Sequence, residues 1–231
     1  MVRMPARIIT WDKVVKLCKE LARKVKESGY EPDVVVAIAR GGFVPARLLC
    51  DYLSITDLLS IKVEHWVETG KHAEEAVLKY PFNYDLDGRK VLIVDDICDT
   101  GDSVIIAKRE VKKRKPKEVK VAVMQWISTV AKVKPDYYAE EIKEWEWQLY
   151  PWCDYEDKMN LIRRILKEEG RPLSLGEIAH KFEEYYGVRY SERELEEVLP
   201  LMLERGVINK LSEAGKEVYA LKSQPLTSGK R

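Results

Sequence analysis

No apolar run in the 231-residue sequence is long. The most apolar stretches, such as Val34 to Ala39 and Val91 to Val94, are strand-sized and fall far short of the roughly 18 residues that a membrane span needs. The opening Met1-Val2-Arg3-Met4-Pro5 leads into an amphipathic segment and lacks the apolar stretch and small-residue cleavage site of an export signal. Cysteine is equally sparse. Cys18, Cys50, Cys98 and Cys153 are scattered without a C-x-x-C pair, which argues against a zinc site or a disulfide framework and fits a reducing cytoplasm. Neither charge sign dominates, with 40 lysine and arginine against 39 aspartate and glutamate, so nucleic-acid binding would need a local basic patch. Side-chain amides number only three Gln and three Asn. Thermophile proteins favour such a composition because ion networks gain value as temperature rises.

What is present is a sequence that is 45% hydrophobic, long enough for one full domain and an appendage. Val14, Leu17, Cys18, Leu21, Ala22 and Val25 recur at helical spacing before Gly29, which predicts a helix over about 11–28. The continuous apolar run from Asp33 to Ala39 predicts a central parallel strand, broken by Arg40-Gly41-Gly42 before a short helix to about Tyr52. A strand at 61–63 precedes a polar stretch, 64–84, read as a mobile loop or ragged hairpin. Then come a buried strand at 90–95, a loop at 96–103, a helix at 103–114 that stops before Pro116, and a core strand at 119–125. Shorter aromatic-rich strands are expected at 137–142 and 145–149. Repeated β-loop-α units imply an α/β fold, a mostly parallel sheet flanked by helices.

Beyond Pro151-Trp152 the composition shifts to helices at 156–169, 174–186 and 191–205, followed by a possible hairpin, 207–211 with 218–221. The expected organisation is therefore a core at 1–154, a helical bundle or winged-helix-like extension at 155–222, and a flexible tail at 223–231. Three helices and a hairpin could suit a DNA-binding regulator. Charge argues otherwise, because 155–222 holds 12 lysine and arginine against 14 aspartate and glutamate, and the would-be recognition helix begins Ser191-Glu192-Arg193-Glu194-Leu195-Glu196-Glu197. Such a helix repels phosphates.

The chemistry is concentrated in Val91-Leu92-Ile93-Val94-Asp95-Asp96-Ile97-Cys98-Asp99-Thr100-Gly101-Asp102-Ser103. Amides and hydroxyls at a helix start, here Thr100 to Ser103, suit a phosphate monoester. The paired carboxylates just before them suit sugar hydroxyls, and the carboxyl end of a central parallel strand is where ligands bind in open α/β sheets. A DDxxD string also occurs in prenyl-diphosphate enzymes, but there on helices of all-α proteins, whereas here four apolar strand residues precede it.

This string resembles the phosphoribosyl-pyrophosphate (PRPP) signature of type I phosphoribosyltransferases. Ala39-Arg40-Gly41-Gly42 is similar to that family's pyrophosphate loop, which often holds a cis peptide before its Arg or Lys. Trp147-Gln148-Leu149-Tyr150-Pro151-Trp152 resembles the hood of the 6-oxopurine branch, where an aromatic residue before Pro-Trp stacks on the base. The likeness spans about residues 8–154. It implies a purine phosphoribosyltransferase of purine salvage, with PRPP bound by Asp95, Asp96, Cys98, Asp99, Thr100, Gly101, Asp102 and Ser103. Pyrophosphate would lie on Ala39, Arg40, Gly41 and Gly42, and Arg40 and Asp99 would be catalytic, Asp99 facing N7 of the purine. Ser128, Trp147, Gln148 and Tyr150 would bind the base, and Asp95, Asp96 and Asp154 would hold Mg²⁺. The segment 64–80 resembles the lid that closes over the reactants. The implied ligands are PRPP, a purine base, a purine nucleoside monophosphate and pyrophosphate, with no membrane contact and a homodimeric assembly.

The base itself is set by a departure from the pattern. Archaeal members that handle hypoxanthine or guanine place a lysine where this chain has Ser128. An ammonium only donates and would oppose the 6-amino group of adenine, whereas a hydroxyl can accept from it. A helical extension on an oxopurine-type core also resembles archaeal adenine phosphoribosyltransferases. Adenine is the expected substrate and a 6-oxopurine the alternative, with Lys132 able to serve the latter by swinging in.

Overall fold

In the computed structural model, residues 3–65, 76–213 and 215–222 are described. Along the chain they form β1 (Ala6–Ile8), α1 (Trp11–Glu27), β2 (Val34–Ala39), α2 (Phe43–Leu53), β3 (Leu58–His65), β4 (Ala76–Leu78), β5 (Lys90–Cys98), α3 (Asp102–Lys112), β6 (Glu118–Ile127), β7 (Tyr137–Ile142) and β8 (Trp147–Leu149). Then follow α4 (Asp154–Glu169), α5 (Leu175–Tyr186), α6 (Glu192–Glu196), α7 (Leu199–Glu204), β9 (Ile208–Glu213) and β10 (Lys216–Leu221). No helix among the described residues is long and apolar enough to cross a membrane. The chain divides into two compact units, one of Trp11–Trp145 and one joining Met1–Thr10 to Glu146–Arg231.

The first unit is a six-stranded sheet in the order β4-β3-β2-β5-β6-β7. All neighbours are parallel except β3 and β4. Successive strand residues point to opposite faces, and the central strands use both. Val34, Val36, Ile38, Val91 and Ile93 pack with Val104, Ala107 and Val111 of α3. Val35, Ala37, Leu92 and Val94 pack with Leu21, Ala22 and Val25 of α1 and with Ala46 and Leu49 of α2. A strand covered on both sides has no room for a polar residue, which is why the sequence reads there as an unbroken apolar run. The expected α/β class and mostly parallel sheet are what the chain adopts. Strand β5 runs three residues further than expected, to Cys98, and α3 starts at Asp102, so the loop between them is tighter. The stretch 64–84 read as a loop or hairpin contains β4, which pairs antiparallel with the end of β3, and its residues 66–75 lie outside the described ones.

In the second unit, β1 and β8 pair in parallel, Ala6 opposite Trp147 and Ile8 opposite Leu149. This puts the hood strand beside the N-terminal strand, in the unit that also holds the C-terminal helices. The pairing joins residues some 140 positions apart, which no local pattern reports. The expected third helix is in fact two, α6 and α7, because Pro200 has no N–H to give and its ring crowds the carbonyl four residues back. The β9–β10 hairpin forms, and an isolated antiparallel bridge from Leu173 to Tyr219 adds a third strand position to it. Helix, bridge, helix, broken helix and hairpin is the order of a winged helix. The expected flexible tail, 223–231, lies outside the described residues.

Phe182 centres this unit's core. It is fully buried, and its ring meets Tyr186 edge-on at 5.6 Å and Tyr190 at 5.4 Å. Replacing it with alanine leaves a ring-sized cavity, so Phe182→Ala is expected to remove about 3–5 kcal/mol of the unit's stability. Equilibrium denaturation of the full chain checks this; an unchanged midpoint would show that Phe182 does not organise the core.

Candidate active site

Strands β2 and β5 are hydrogen-bonded neighbours that end at the same edge of the sheet. The loops that follow them therefore meet. After β2 the chain passes a cis peptide between Ala39 and Arg40 and turns at once, the Gly42 amide donating to the Ile38 carbonyl at 2.8 Å and Phe43 to Arg40 at 3.2 Å. Both glycines are needed for space. A Cβ on Gly41 would overlap the Asp96 carboxylate, and one on Gly42 would strike the backbone oxygens of Val94 and Ile38. The turn is pressed against the end of β5, with the Arg40 side chain exposed at its tip.

Asp95 and Asp96 are adjacent on β5. The Asp96 amide donates to Asp95 Oδ1 at 3.0 Å and the Ile97 amide to Asp96 Oδ1 at 2.8 Å. Asp95 is only 7% exposed. Burial, followed by the charge of Asp96, holds its carboxyl well above the ordinary carboxylate range. Burial likewise pushes the Cys98 thiol up to about 12, so at neutral pH it is an inert neutral group that packs in the core.

The chain then enters α3 through Gly101, whose φ of +86° is the left-handed conformation that favours glycine. Thr100 Oγ1 donates to Asp102 Oδ2 at 3.0 Å, and the first amides of α3 follow directly. The segment after β6 lies on this loop. Lys132 Nζ reaches both carboxylate oxygens of Asp102, at 2.7 and 3.0 Å, and the Lys132 amide donates to the Thr100 carbonyl at 2.8 Å. Lys132, named above as able to serve a 6-oxopurine by swinging in, pairs in this structure with Asp102. Ser128 is half-buried, and its amide donates to the Ile142 carbonyl at 3.1 Å.

The structure thus brings Ala39 to Gly42, Asp95 to Ser103 and the 128–133 turn to one edge of one unit. The other expected base and metal residues belong to the second unit. There Trp147 is 39% exposed, Gln148 is buried, and the Tyr150 ring stacks on Trp152 at 4.7 Å. Asp154 heads α4 and is bound by Lys158 at 2.7 Å. A residue the sequence gave no reason to mark is Asp157, which accepts from the Trp147 indole at 3.2 Å. Burial raises its carboxyl to about 6.

Among the described residues, no three His, Cys, Asp or Glu side chains group as a metal site. That suits Mg²⁺ well enough, since this ion usually rests on one or two carboxylates and completes its shell with water and substrate phosphates. Asp95 and Asp96 form such a pair, and a cation there would relieve the repulsion that raises Asp95. Asp154, also expected to hold the ion, pairs with Lys158 in this structure.

The phosphoribosyl transferase domain family matches residues 6–156. Xanthine-guanine phosphoribosyltransferase of Gluconobacter oxydans is 31% identical over 147 residues, 62% of this chain and 82% of that protein. The enzyme of the same name from Vibrio parahaemolyticus is 32% identical over 145 residues, 63% and 87% of the two chains. Among solved structures, purine phosphoribosyltransferase from Pyrococcus horikoshii superposes with a TM-score of 0.57 at 35% identity, covering 64% of this chain and 94% of its own.

The burial of Asp95 carries a consequence for stability. Well below pH 4 this carboxyl is neutral in folded and unfolded chains alike and burial exacts little. As pH climbs from there through the elevated folded value, the unfolded chain sheds its proton first and the fold is progressively disfavoured. Asp95→Asn keeps the shape without the charge. The variant is expected to melt above the parent at pH 8, with the gap closing toward pH 4, in thermal scans of the ligand-free protein. Equal melting temperatures at pH 8 would mean that the buried charge is fully compensated.

Proposed function

Because the chain belongs to the phosphoribosyltransferase family, we propose that it moves the 5-phosphoribosyl group of PRPP onto a purine base and releases pyrophosphate. The observation that carries this reading is the meeting of the Arg40-Gly41-Gly42 turn with Asp96 at the ends of two adjacent parallel strands, followed immediately by the N-terminus of α3. Polyanion, sugar and phosphomonoester would find their partners in that order along one edge.

In this reading, the amides and hydroxyls of Thr100 to Ser103 hold the 5′-phosphate, favoured by the positive end of α3. Asp95 and Asp96 accept from the ribose 2′ and 3′ hydroxyls. As the base nitrogen bonds to C1′ and the C1′–oxygen bond to pyrophosphate breaks, the ribosyl centre passes through an oxocarbenium-like state. The base loses a proton, which Asp99, the residue that the family resemblance sets against N7, would take. Arg40 meets the growing charge on pyrophosphate. Mg²⁺, when bound, supplies further neutralisation to that leaving group, with Asp95 and Asp96 as the carboxylates that would hold it. Trp147, with Gln148 and Tyr150 beside it in sequence, would provide the stacking surface for the base.

For the base, Ser128 favours adenine, since its hydroxyl can accept from a 6-amino group. The commitment of Lys132 to Asp102 also supports adenine, as it leaves position 6 without that ammonium. The two bacterial relatives are named as xanthine-guanine phosphoribosyltransferases, which supports a 6-oxopurine as the second reading.

Incubation with PRPP and Mg²⁺ across adenine, hypoxanthine, guanine and xanthine tests the activity. Nucleotide from adenine is expected, and no nucleotide from any purine would end the proposal. Asp99→Asn is expected to lower turnover by roughly 10² to 10⁴, the usual worth of a positioned acid or base, with PRPP binding little changed. Ser128→Lys brings a charged donor to position 6. It should shift the ratio of kcat/KM for hypoxanthine over adenine upward by at least about tenfold, equivalent to about 1.4 kcal/mol. A flat ratio would mean that Ser128 does not face position 6.

A further inference from the structure

The segment from Asp95 to Ser103 bears four carboxylates, at Asp95, Asp96, Asp99 and Asp102, although its proposed ligand is a polyanion. Asp95 and Asp96 have sugar hydroxyls and a cation to meet, and Asp99 has the base. Asp102, whose amide belongs to the phosphate loop, has no such ligand group for its carboxylate. It stands in the first turn of α3, where the helix dipole welcomes an acid and where a phosphate would seek the same amides. An uncompensated carboxylate there would oppose the 5′-phosphate dianion at contact range.

The compensation comes from the turn after β6. Lys132 Nζ lies 2.7 and 3.0 Å from the two Asp102 oxygens. An exposed lysine pairing by its side chain alone contributes little, but this one is anchored by its backbone. Its amide donates to the Thr100 carbonyl at 2.8 Å. The next residue, Val133, fills the space over Gly101, its Cγ2 only 2.8 Å from where a glycine-replacing Cβ would stand. The Cys98 thiol also faces the Val133 carbonyl at 3.8 Å. The turn is thus fastened to the loop on both sides of Asp102, and the ammonium arrives with its position already set.

We propose that Lys132 is a positioning residue of the phosphate subsite: by neutralising and orienting Asp102 it makes an acid-bearing loop competent for the 5′-phosphate of PRPP. This rests on the reading that Thr100 to Ser103 hold that phosphate. It also gives Lys132 a task distinct from contact with the base.

Steady-state kinetics on the full-length protein, with PRPP binding followed by calorimetry, test the assignment. Lys132→Ala should raise the KM for PRPP about tenfold or more, equivalent to about 1.4 kcal/mol, with kcat and the KM for the base nearly unchanged. Lys132→Arg, which can still pair with both oxygens, should stay within about threefold of the parent. Asp102→Asn alone frees the ammonium toward phosphate and should lower the KM for PRPP. Combined with Lys132→Ala it should recover most of what the single lysine variant loses, because the charge that needed neutralising is gone. An unchanged PRPP KM in Lys132→Ala, a double variant no better than the single, or a rise confined to the KM of the base would each overturn the proposal. If the parent protein itself fails to bind PRPP, the reading of the loop falls first, and the inference with it.

Discussion

The close approach of two backbones, at Gly41 and Gly42 against the end of β5, is the constraint on which the site depends. Strands β2 and β5 lie side by side in a sheet that is covered on both faces, so they end together and their loops must share one small volume. The turn after β2 fits only because two consecutive residues carry no side chain where Asp96, Val94 and Ile38 already stand. Any other residue at Gly42 would meet backbone oxygens, which cannot rotate away. The two carboxylates and the helix start then follow from chain connectivity, within seven residues of that contact.

Electrostatics supplies the second theme. The loop is rich in acid, and burial together with the charge of Asp96 holds the Asp95 carboxyl well above the ordinary range. Stability is given up locally and regained from the core, a common arrangement where a site must await a charged ligand. Asp102 is treated differently. It has a permanent partner in Lys132, held by backbone contacts on either side. The loop therefore contains one acid that waits and one that is already matched, which is the distinction expected between a group that meets the ligand and one that must not repel it.

Much of this was legible beforehand, for reasons that can be named. Val34 to Ala39 and Val91 to Val94 announce themselves because a strand buried on both faces must be apolar throughout. Gly41-Gly42 and Thr100 to Ser103 were readable because phosphate and backbone approach demand particular residue types at particular spacing. The breaks came where distant or local detail decides. The β1–β8 pairing links Ala6 to Trp147, a contact without a local signature, so the partner of the hood strand could not be read from the sequence. The interruption between α6 and α7 was announced by Pro200, yet the apolar periodicity on either side outweighed it. The pairing of Lys132 with Asp102 does have a signal in the sequence, since an acid in a phosphate loop asks for a cation close by.

The second unit reinforces the point that fold order and chemistry are separate questions. Its sequence of helix, bridge, helix, broken helix and hairpin is one that DNA-binding domains use, yet α6 carries Glu192, Glu194 and Glu196 with a single Arg193. Ser191 and Glu194 are occupied with each other in a capping box, so the acids serve the helix's own start. Instead of a basic surface, the unit offers anchorage. Tyr190, packed on Phe182, lies beneath Lys158 of α4 at 4.8 Å, Lys158 is bound to Asp154, and Asp157, one residue earlier on the same helix, accepts from Trp147. A continuous series of contacts thus runs from the aromatic core of the helical extension to the indole of the hood. The extension's packing holds one exposed tryptophan ring in place.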